Sequence, residues 1–276
     1  MHKKILLVIG MHRSGTSLLT QWLHRCGLSV GDELMAANSA NEQGYFEDMD
    51  FVRLHEAILS RQGLPDTGLT DRPLLLLHPR DKQAISSLLD AKSLRHDQWA
   101  WKDPRSCLFL PVYRELAPNA DYLVIYRDFR FCVYSLVNRM LKDKKTEYLR
   151  SGKIKASWRW KWYKKRKIAN QLFTDHTEEY LRVWIRYNQE ILQHVELLGP
   201  DRCPILNYKS LLTNDRRLYG ILADRWGYSL NYIPFKEVYH KGLMSSHAPI
   251  DPYIKNKTLV EQAEALATRL SQLALA

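Results

Sequence analysis

Short apolar runs alternate with longer amphipathic stretches along the chain, and the two patterns predict different elements. Four runs rich in β-branched, leucine or aromatic residues are typical of buried strands: Lys4 to Ile9, Trp99 to Lys102, Asp121 to Tyr126 and Cys203 to Asn207. Stretches with helical spacing predict helices from Thr16 to about Cys26, Phe46 to Gly63, Asp81 to Lys92, Cys107 to Leu116, Arg130 onward, Glu178 to Leu198 and at the C-terminus. Glycine or proline turns separate most of them, as is usual at element ends.

Strands that alternate with helices indicate βαβ units, whose right-handed crossovers build a mainly parallel sheet. We therefore expect an α/β fold with a mainly parallel sheet flanked by helices on both faces. Residues 1–276 are interpreted as one domain, because this length suits a single core and no low-complexity linker interrupts it. Ligands of such folds bind beyond the carboxyl ends of the strands, and three charged motifs follow three of the predicted strands.

The composition agrees with a globular protein, since 45% of the residues are hydrophobic and 26% are charged. No apolar run approaches the roughly 20 residues that a membrane-spanning helix needs. The apolar stretch near the N-terminus ends in a glycine turn instead of a cleavage site, so we interpret it as a strand and not a signal peptide. Cys26, Cys107, Cys132 and Cys203 have neither paired nor metal-ligand spacing, which favours reduced thiols, a cytoplasmic location and no metal site.

The net charge of +11 is concentrated in one segment. Residues 139–167 hold 13 Lys and Arg against two acids, so this segment accounts for the whole excess. Tryptophans and tyrosines lie between its basic residues. Four interpretations stay open: a lid or groove for an anionic acceptor such as an acidic glycan, a peripheral contact with anionic lipid, a nucleic-acid surface, or a solvated helix whose Trp158 and Trp162 pack on the core.

The turn after the first strand has the spacing of a phosphate-binding loop. Gly10 and Gly15 flank four residues between a strand and a helix that Thr16 or Ser17 is expected to cap. Tight glycine turns let backbone N–H groups and the helix N-terminus converge on an anion. A Walker-type loop for nucleoside triphosphates would carry Lys after the second glycine. Here Thr16 holds that position and the cation is Arg13, which counts against a kinase.

Residues 10–17, Gly-Met-His-Arg-Ser-Gly-Thr-Ser, resemble the 5'-phosphosulfate loop G-x-x-[K/R]-S-G-T-[S/T] of the P-loop sulfotransferases. The resemblance implies a P-loop-like sheet and binding of 3'-phosphoadenosine-5'-phosphosulfate (PAPS). The positions that would hold the 5'-phosphosulfate correspond to Arg13, Ser14, Gly15, Thr16 and Ser17. It further implies that Arg13 stabilises charge on the leaving phosphate, which a fixed guanidinium can do without a metal.

A second motif follows the strand that ends at Tyr126. Arg127 begins Arg-Asp-Phe-Arg, and Ser135 lies eight residues beyond it, two turns into the next predicted helix. This pattern resembles the 3'-phosphate site R-D-P-R-x-x-x-x-S of the same family, with Phe129 in place of proline, and implies that Arg127 and Ser135 bind the 3'-phosphate. Tyr208 resembles the tyrosine of the family's Y-E-D-L segment, which lies near adenine. A nucleotide with phosphates at both ends explains both loops, whereas ATP explains one.

Lys102, Asp103 and Arg105 belong to a third motif, Lys-Asp-Pro-Arg, at the place where some family members have K-T-H with histidine as general base. The residue in the histidine position here is Pro104, so that base is absent. The resemblance implies that Lys102 is a second cation over the transferring group, and that Arg105 orients the site or locks Asp103.

The acceptor must lose a proton when it attacks sulfur, so a general base is expected within hydrogen-bond reach of it. Glu47, in Gly-Tyr-Phe-Glu-Asp, resembles the acidic-aromatic motif of glutamate-dependent members and is the first choice. Asp48, Asp103, His12 and His55 stay open as alternatives, and Asp103 and His55 are also expected to orient the acceptor.

These motifs favour an enzyme that moves a sulfuryl group from PAPS to an acceptor hydroxyl by direct in-line transfer and leaves 3'-phosphoadenosine-5'-phosphate (PAP). The family at large favours a carbohydrate or glycoconjugate as the acceptor. The alternatives are a P-loop nucleotide kinase, and a nucleic-acid-binding or lipid-binding protein that uses residues 139–167.

Overall fold

A four-stranded parallel sheet forms the centre of the described structure. The computed structural model describes residues 3–36, 44–150, 157, 160, 164–207, 209–239 and 248–275. The strands are β1 (Lys4–Ile9), β2 (Gln98–Lys102), β3 (Asp121–Tyr126) and β4 (Ile205–Asn207), in the order β2-β1-β3-β4. All of these pairings are parallel, so the predicted α/β fold is confirmed and the carboxyl ends of the strands meet at one edge.

Helices cover both faces of this sheet. They are α1 (Thr16–Arg25), α2 (Met49–Arg61), α3 (Pro79–Arg95), α4 (Leu110–Leu116), α5 (Phe129–Arg150), α6 (Lys165–Leu198), α7 (Leu211–Gly220) and α8 (Lys257–Leu273). The helix that we expect from Glu178 begins earlier, at Lys165, because its apolar face continues through the buried Leu172 and Phe173. The hydrophobic pattern also misses α7. None of the described helices is both long and apolar enough to cross a lipid bilayer.

Alternate side chains of each strand enter two separate cores. In β1, Leu7 points to the face covered by α2, α3, α5, α6 and α8, whereas Leu6 points to the face covered by α1 and α7. Both faces of β1 are therefore buried, which explains why its sequence is a continuous apolar run. On the first face, Phe51 of α2 stacks on Trp101 of β2 with the ring centroids 4.6 Å apart. This stack fixes α2 beside the carboxyl end of β2.

A buried lysine joins α3 to the start of α2. The Lys92 ammonium lies 2.6 Å from the Asp48 carboxylate and 2.8 Å from those of Asp32 and Asp50. Burial lowers the pKa of Lys92, but hydrogen bonds to the three carboxylates outweigh that effect and raise it above its ordinary value. The hydrogen bond from Lys92 holds the pKa of Asp32 well below its usual range. Asp48 also caps α2 by accepting a hydrogen bond from the Asp50 amide, so the cluster fixes residues 47–50.

We expect Lys92→Met to lower the free energy of unfolding by about 3–5 kcal/mol at pH 7, because three carboxylates would stay clustered without their cation. Urea titration at fixed pH measures the loss. The lowered pKa of Asp32 contributes its full stability above the pKa of the unfolded carboxyl, and the wild type loses that contribution progressively as the pH falls from there through the lower folded-state pKa. The difference between the two proteins should therefore shrink below about pH 4.

Lys82→Met is the matched control on α3, because Lys82 pairs with Glu115 at the partly exposed surface. Exposed ion pairs contribute at most about 1 kcal/mol. Equal losses in the two variants, or a Lys92→Met loss that is the same at pH 7 and pH 3, would contradict the explanation based on a buried cluster.

Candidate functional site

The turn between β1 and α1 is held in an unusual conformation. Gly10 packs so closely on β3 that a Cβ atom would lie 2.4 Å from the carbonyl oxygen of Ile125, so only glycine fits there. Arg13 has a φ of 69°, in the left-handed region that residues with side chains seldom adopt. The packing beneath the turn and the left-handed residue within it fix the path of the loop. Strained backbone of this kind is concentrated at functional sites.

This turn leads into an open helix terminus. The N-cap of α1 is Gly15, whose φ is 102°, and α1 has no side-chain cap, so our prediction that Thr16 or Ser17 caps the helix is wrong. An uncapped N-terminus leaves its first N–H groups available to an anion, and the helix dipole favours negative charge there. Ser14 and Thr16 are buried beside it. The arrangement can bind a phosphate or sulfate group.

The two predicted anion-binding loops meet in one place. Arg127 follows β3, and Ser135 lies in the second turn of α5. The Arg13 guanidinium donates a hydrogen bond of 2.8 Å from Nε to the Ser135 hydroxyl. Arg127 donates one of 3.2 Å from Nη1 to the carbonyl oxygen of Arg13. Residues far apart in the sequence therefore meet at the carboxyl edge of the sheet.

A third arginine, which the sequence motifs do not identify, belongs to this group of residues. Burial lowers the pKa of Arg13, and the nearby guanidinium groups of Arg139 and Arg127 lower it further. Arg139 lies over the Tyr45 ring, 5.9 Å from the centroid. It follows Ser135 by four residues on α5, so helical spacing places both on one face, which is the only signal of it in the sequence. In the part of the chain that the structure describes, Arg13 has no carboxylate partner, so a cluster of guanidinium groups surrounds it without a described counter-charge on Arg13.

Glu47 lies between two cations on the other side of the turn. The Lys102 ammonium, at the end of β2, donates hydrogen bonds of 2.6 Å to Glu47 Oε1 and 3.3 Å to the Ser17 hydroxyl. The Arg105 guanidinium is 3.9 Å from the other carboxylate oxygen. Lys102, Glu47 and Arg105 are all buried. The predicted base and the predicted second cation are thus in direct contact, next to the phosphate turn.

Asp103 and His55 lie behind this group and are fully buried. His55 Nδ1 is 2.8 Å from Asp103 Oδ2, and His55 Nε2 is 2.6 Å from the Tyr113 hydroxyl. Asp103 Oδ1 accepts hydrogen bonds from both the amide and the guanidinium of Arg105. Burial raises the pKa of Asp103, but His55 and Arg105 outweigh that effect and hold it well below its usual range. From these positions Asp103, supported by His55, can orient Arg105.

Arg105 also fixes the loop that follows α2. Its Nε donates a hydrogen bond of 2.7 Å to the carbonyl oxygen of Asp66, and its Nη2 lies 2.9 Å from Glu56. The Tyr187 hydroxyl of α6 donates a hydrogen bond of 2.7 Å to the carbonyl oxygen of Gly68. The loop after α2 is therefore held against the site from both sides.

Another predicted residue has a different set of partners. Asp48, an alternative base, is engaged by Lys92 and by the start of α2. Asp32, Asp48 and Asp50 are the one set of side chains in the described ranges whose spacing could hold a metal ion, and the Lys92 ammonium lies among them. Tyr208, the predicted adenine contact, lies outside the described residues.

The basic segment 139–167 is described in part. Trp158 and Trp162 lie outside the described residues. Trp160 is buried, and its ring centroid is 5.6 Å from that of Tyr148 on α5. The basic side chains at the end of α5 and the start of α6 are exposed: Lys142, Lys144, Lys145, Arg150, Lys164, Lys165, Arg166 and Lys167. This exposed set, which we name the basic arm, extends along α5 away from Arg139.

Comparison with known proteins identifies a family whose model covers all of the site residues described above. The family model described as "Sulfotransferase family" matches residues 6–229. A Caenorhabditis elegans protein named "Putative protein-tyrosine sulfotransferase" is 28% identical over an alignment that covers 43% of this chain and 53% of the relative. The chain thus spans about half the length of that curated relative.

Solved structures agree at the level of the fold. Sulfotransferase STF9 from Mycobacterium avium is 14% identical, with a TM-score of 0.55 and coverage of 97% of this chain and 77% of that chain. A sulfotransferase from Alicyclobacillus acidocaldarius is 13% identical, with a TM-score of 0.52 and coverage of 99% and 96%. The family match extends over most of the sequence and includes both predicted anion-binding loops. The chain therefore belongs to the sulfotransferase family.

Proposed function

We propose that this enzyme transfers the sulfuryl group of PAPS to a carbohydrate hydroxyl by direct in-line displacement. The observation that carries the proposal is the 2.8 Å hydrogen bond between Arg13 and Ser135, which joins the two predicted phosphate sites. A donor with phosphate groups at both the 5' and 3' positions of its ribose would contact both sites at once. ATP would occupy only the turn between β1 and α1.

The donor would lie across the carboxyl edge of the sheet. Residues 13–17 would bind its 5'-phosphosulfate through the turn and the open N-terminus of α1. Arg127 and Ser135 would bind the 3'-phosphate, and Tyr208 would contact adenine. Because Arg13 already donates a hydrogen bond to Ser135, it is close enough to both phosphates to sense whether the 3' site is filled.

The transfer itself needs cations and a base. The acceptor oxygen attacks sulfur, the bond from sulfur to the bridging oxygen breaks, and its electron pair stays on the 5'-phosphate, where Arg13 and Lys102 stabilise it. Glu47 takes the proton that the acceptor hydroxyl loses. Before substrates bind, Lys102 holds the Glu47 carboxylate at 2.6 Å, and Arg105, locked by Asp103, limits its movement. His55 acts only through Asp103.

The acceptor is the part of the reaction about which the family says least. The exposed basic arm supports an anionic acceptor. Part of the arm lies on α5, the same helix that carries Ser135 and Arg139 at the proposed donor site, so its positive charge would attract an anion toward that site. An acidic glycan fits this surface. The name of the nematode relative makes a tyrosine hydroxyl in an acidic peptide the second candidate, and it would use the same arm.

We expect PAP to bind at least 100-fold more tightly than ATP with magnesium, measured by calorimetric titration. Arg127→Met should weaken PAP binding by about 10- to 100-fold, since one charge-assisted contact is lost. The same variant should change the affinity for adenosine-5'-phosphosulfate, which has no 3'-phosphate, by less than about threefold.

Equal affinity for PAP and ATP in the wild type would contradict a PAPS donor. Equal losses for PAP and adenosine-5'-phosphosulfate in Arg127→Met would instead remove the assignment of Arg127 to the 3'-phosphate. The thermal midpoint of the variant controls for folding.

Glu47→Gln should lower kcat by roughly 10²- to 10⁴-fold, because the amide cannot accept the acceptor's proton, while PAP affinity stays close to wild type. Turnover is measured with sulfur-labelled PAPS and the best acceptor from a panel of neutral sugars, acidic glycans and tyrosine peptides. Glu56→Gln is the matched control, since Glu56 also contacts Arg105 but its side chain is 38% exposed. Full turnover in Glu47→Gln would exclude Glu47 as the base.

Replacing Lys142 and Lys145 together by Glu should raise KM for acidic glycans or acidic peptides by about tenfold, because both exposed cations lie on the basic arm. KM for PAPS and for a neutral sugar should stay within about twofold. The effect should fade at high salt. An unchanged KM for every anionic acceptor in the panel would show that the arm does not bind the acceptor.

A further inference from the structure

His12 has an unsatisfied nitrogen inside the site. It precedes Arg13 in the turn between β1 and α1, and its ring packs edge-on against Tyr187 with the centroids 6.0 Å apart. Its Nε2 atom is shut off from solvent and has no hydrogen-bond partner among the described residues. Buried polar atoms are almost always paired in folded proteins, so an orphan at a binding site indicates a group that a ligand satisfies.

The charges around His12 indicate which kind of ligand group its Nε2 atom can bind. Burial lowers its pKa to about 3, and the cations Arg105, Lys102 and Arg139 add to this effect against the opposing charge of Asp103. The imidazole is therefore neutral, and a proton that it accepted would lie beside three cations. A neutral imidazole can instead donate its own N–H to an anion that those cations attract.

The turn separates the side chains of His12 and Arg13. Arg13, in its left-handed conformation, reaches Ser135 in the predicted 3'-phosphate site. His12 instead contacts Tyr187, whose hydroxyl is bonded to the loop after α2 that Arg105 also holds. After burial, Arg105 lowers the pKa of His12 most, ahead of Lys102 and Arg139. His12 is thus on the Lys102 and Glu47 side of the turn, where the sulfuryl group would leave the donor.

We infer that His12 is a further catalytic residue whose Nε2–H donates a hydrogen bond to an oxygen of the sulfuryl group during transfer. This inference rests on the proposed PAPS-dependent reaction. His12 neither gains nor loses a proton in the step. The acceptor's proton goes to Glu47, the electron pair of the broken bond goes to the 5'-phosphate, and His12 stabilises the charge on the oxygens of the group in flight. A preorganised donor of this kind is worth about 10²- to 10³-fold in rate.

The closest matched pair of variants is His12→Gln and His12→Met. Both side chains have similar length and shape, but only glutamine carries N–H groups near the position of Nε2. His12→Phe is the third variant, because it keeps a ring against Tyr187 and removes both nitrogens. If one apolar variant fails to fold, the other still provides the comparison with glutamine.

The binding probe is metavanadate added to the PAP-loaded enzyme, because vanadate adopts the five-coordinate geometry of a sulfuryl group in flight and needs no known acceptor. We expect His12→Met and His12→Phe to weaken vanadate binding by at least tenfold, and His12→Gln to recover most of the loss. PAP affinity should stay within about threefold in all variants. The rate of PAP release from PAPS, with water and with the panel's best acceptor, should fall in the same order.

Wild-type vanadate affinity in His12→Met or His12→Phe, or a loss in His12→Gln as large as in His12→Met, would overturn the inference. Vanadate that does not bind the PAP-loaded wild type would also overturn it. Failure of the proposed reaction looks different, because the wild type would then not bind PAP in preference to ATP.

Discussion

At the carboxyl edge of the sheet, basic side chains outnumber the acidic side chains that contact them. This excess of positive charge determines how the site is built. Buried charge is costly unless an opposite charge compensates it. On one side of the turn the balance is internal, since Lys102 and Arg105 contact Glu47 and Asp103. On the other side Arg13 lies near two more guanidinium groups and no described carboxylate compensates it. The fold therefore leaves uncompensated positive charge beside the turn between β1 and α1, which an anion can neutralise.

The order of the strands makes this concentration of charge possible. β1 lies between β2 and β3, and Val8 pairs with both Lys102 and Leu123. The loops that leave these three strands consequently lie side by side, although the chain visits them many residues apart. Parallel pairing alone would not be sufficient, because a different strand order would separate the turn after β1 from one of its partners. The buried Lys92 cluster completes the arrangement by fixing the residues next to Glu47.

The sequence predicted the features that local rules control. Continuous apolar runs identified the strands, and the glycine spacing identified the tight turn between β1 and α1 that holds Arg13. The contacts that depend on tertiary structure were harder to predict. Arg139 is one helical turn from Ser135, but only the packed fold shows that it lies near Arg13. His55 was expected to orient the acceptor, and its burial between Asp103 and the Tyr113 hydroxyl could not be read from the sequence.

The close approach of Gly10 to the backbone of β3 affects how a saturation screen of this enzyme should be interpreted. A side chain at this position would collide with the Ile125 carbonyl oxygen, which belongs to the sheet and cannot move aside. Inactive clones with changes at Gly10 would therefore report misfolded protein, not a lost ligand. The screen must therefore measure the abundance of each variant protein as well as its activity. Otherwise Gly10, which tolerates no side chain for reasons of packing, will be mistaken for a residue that contacts the ligand.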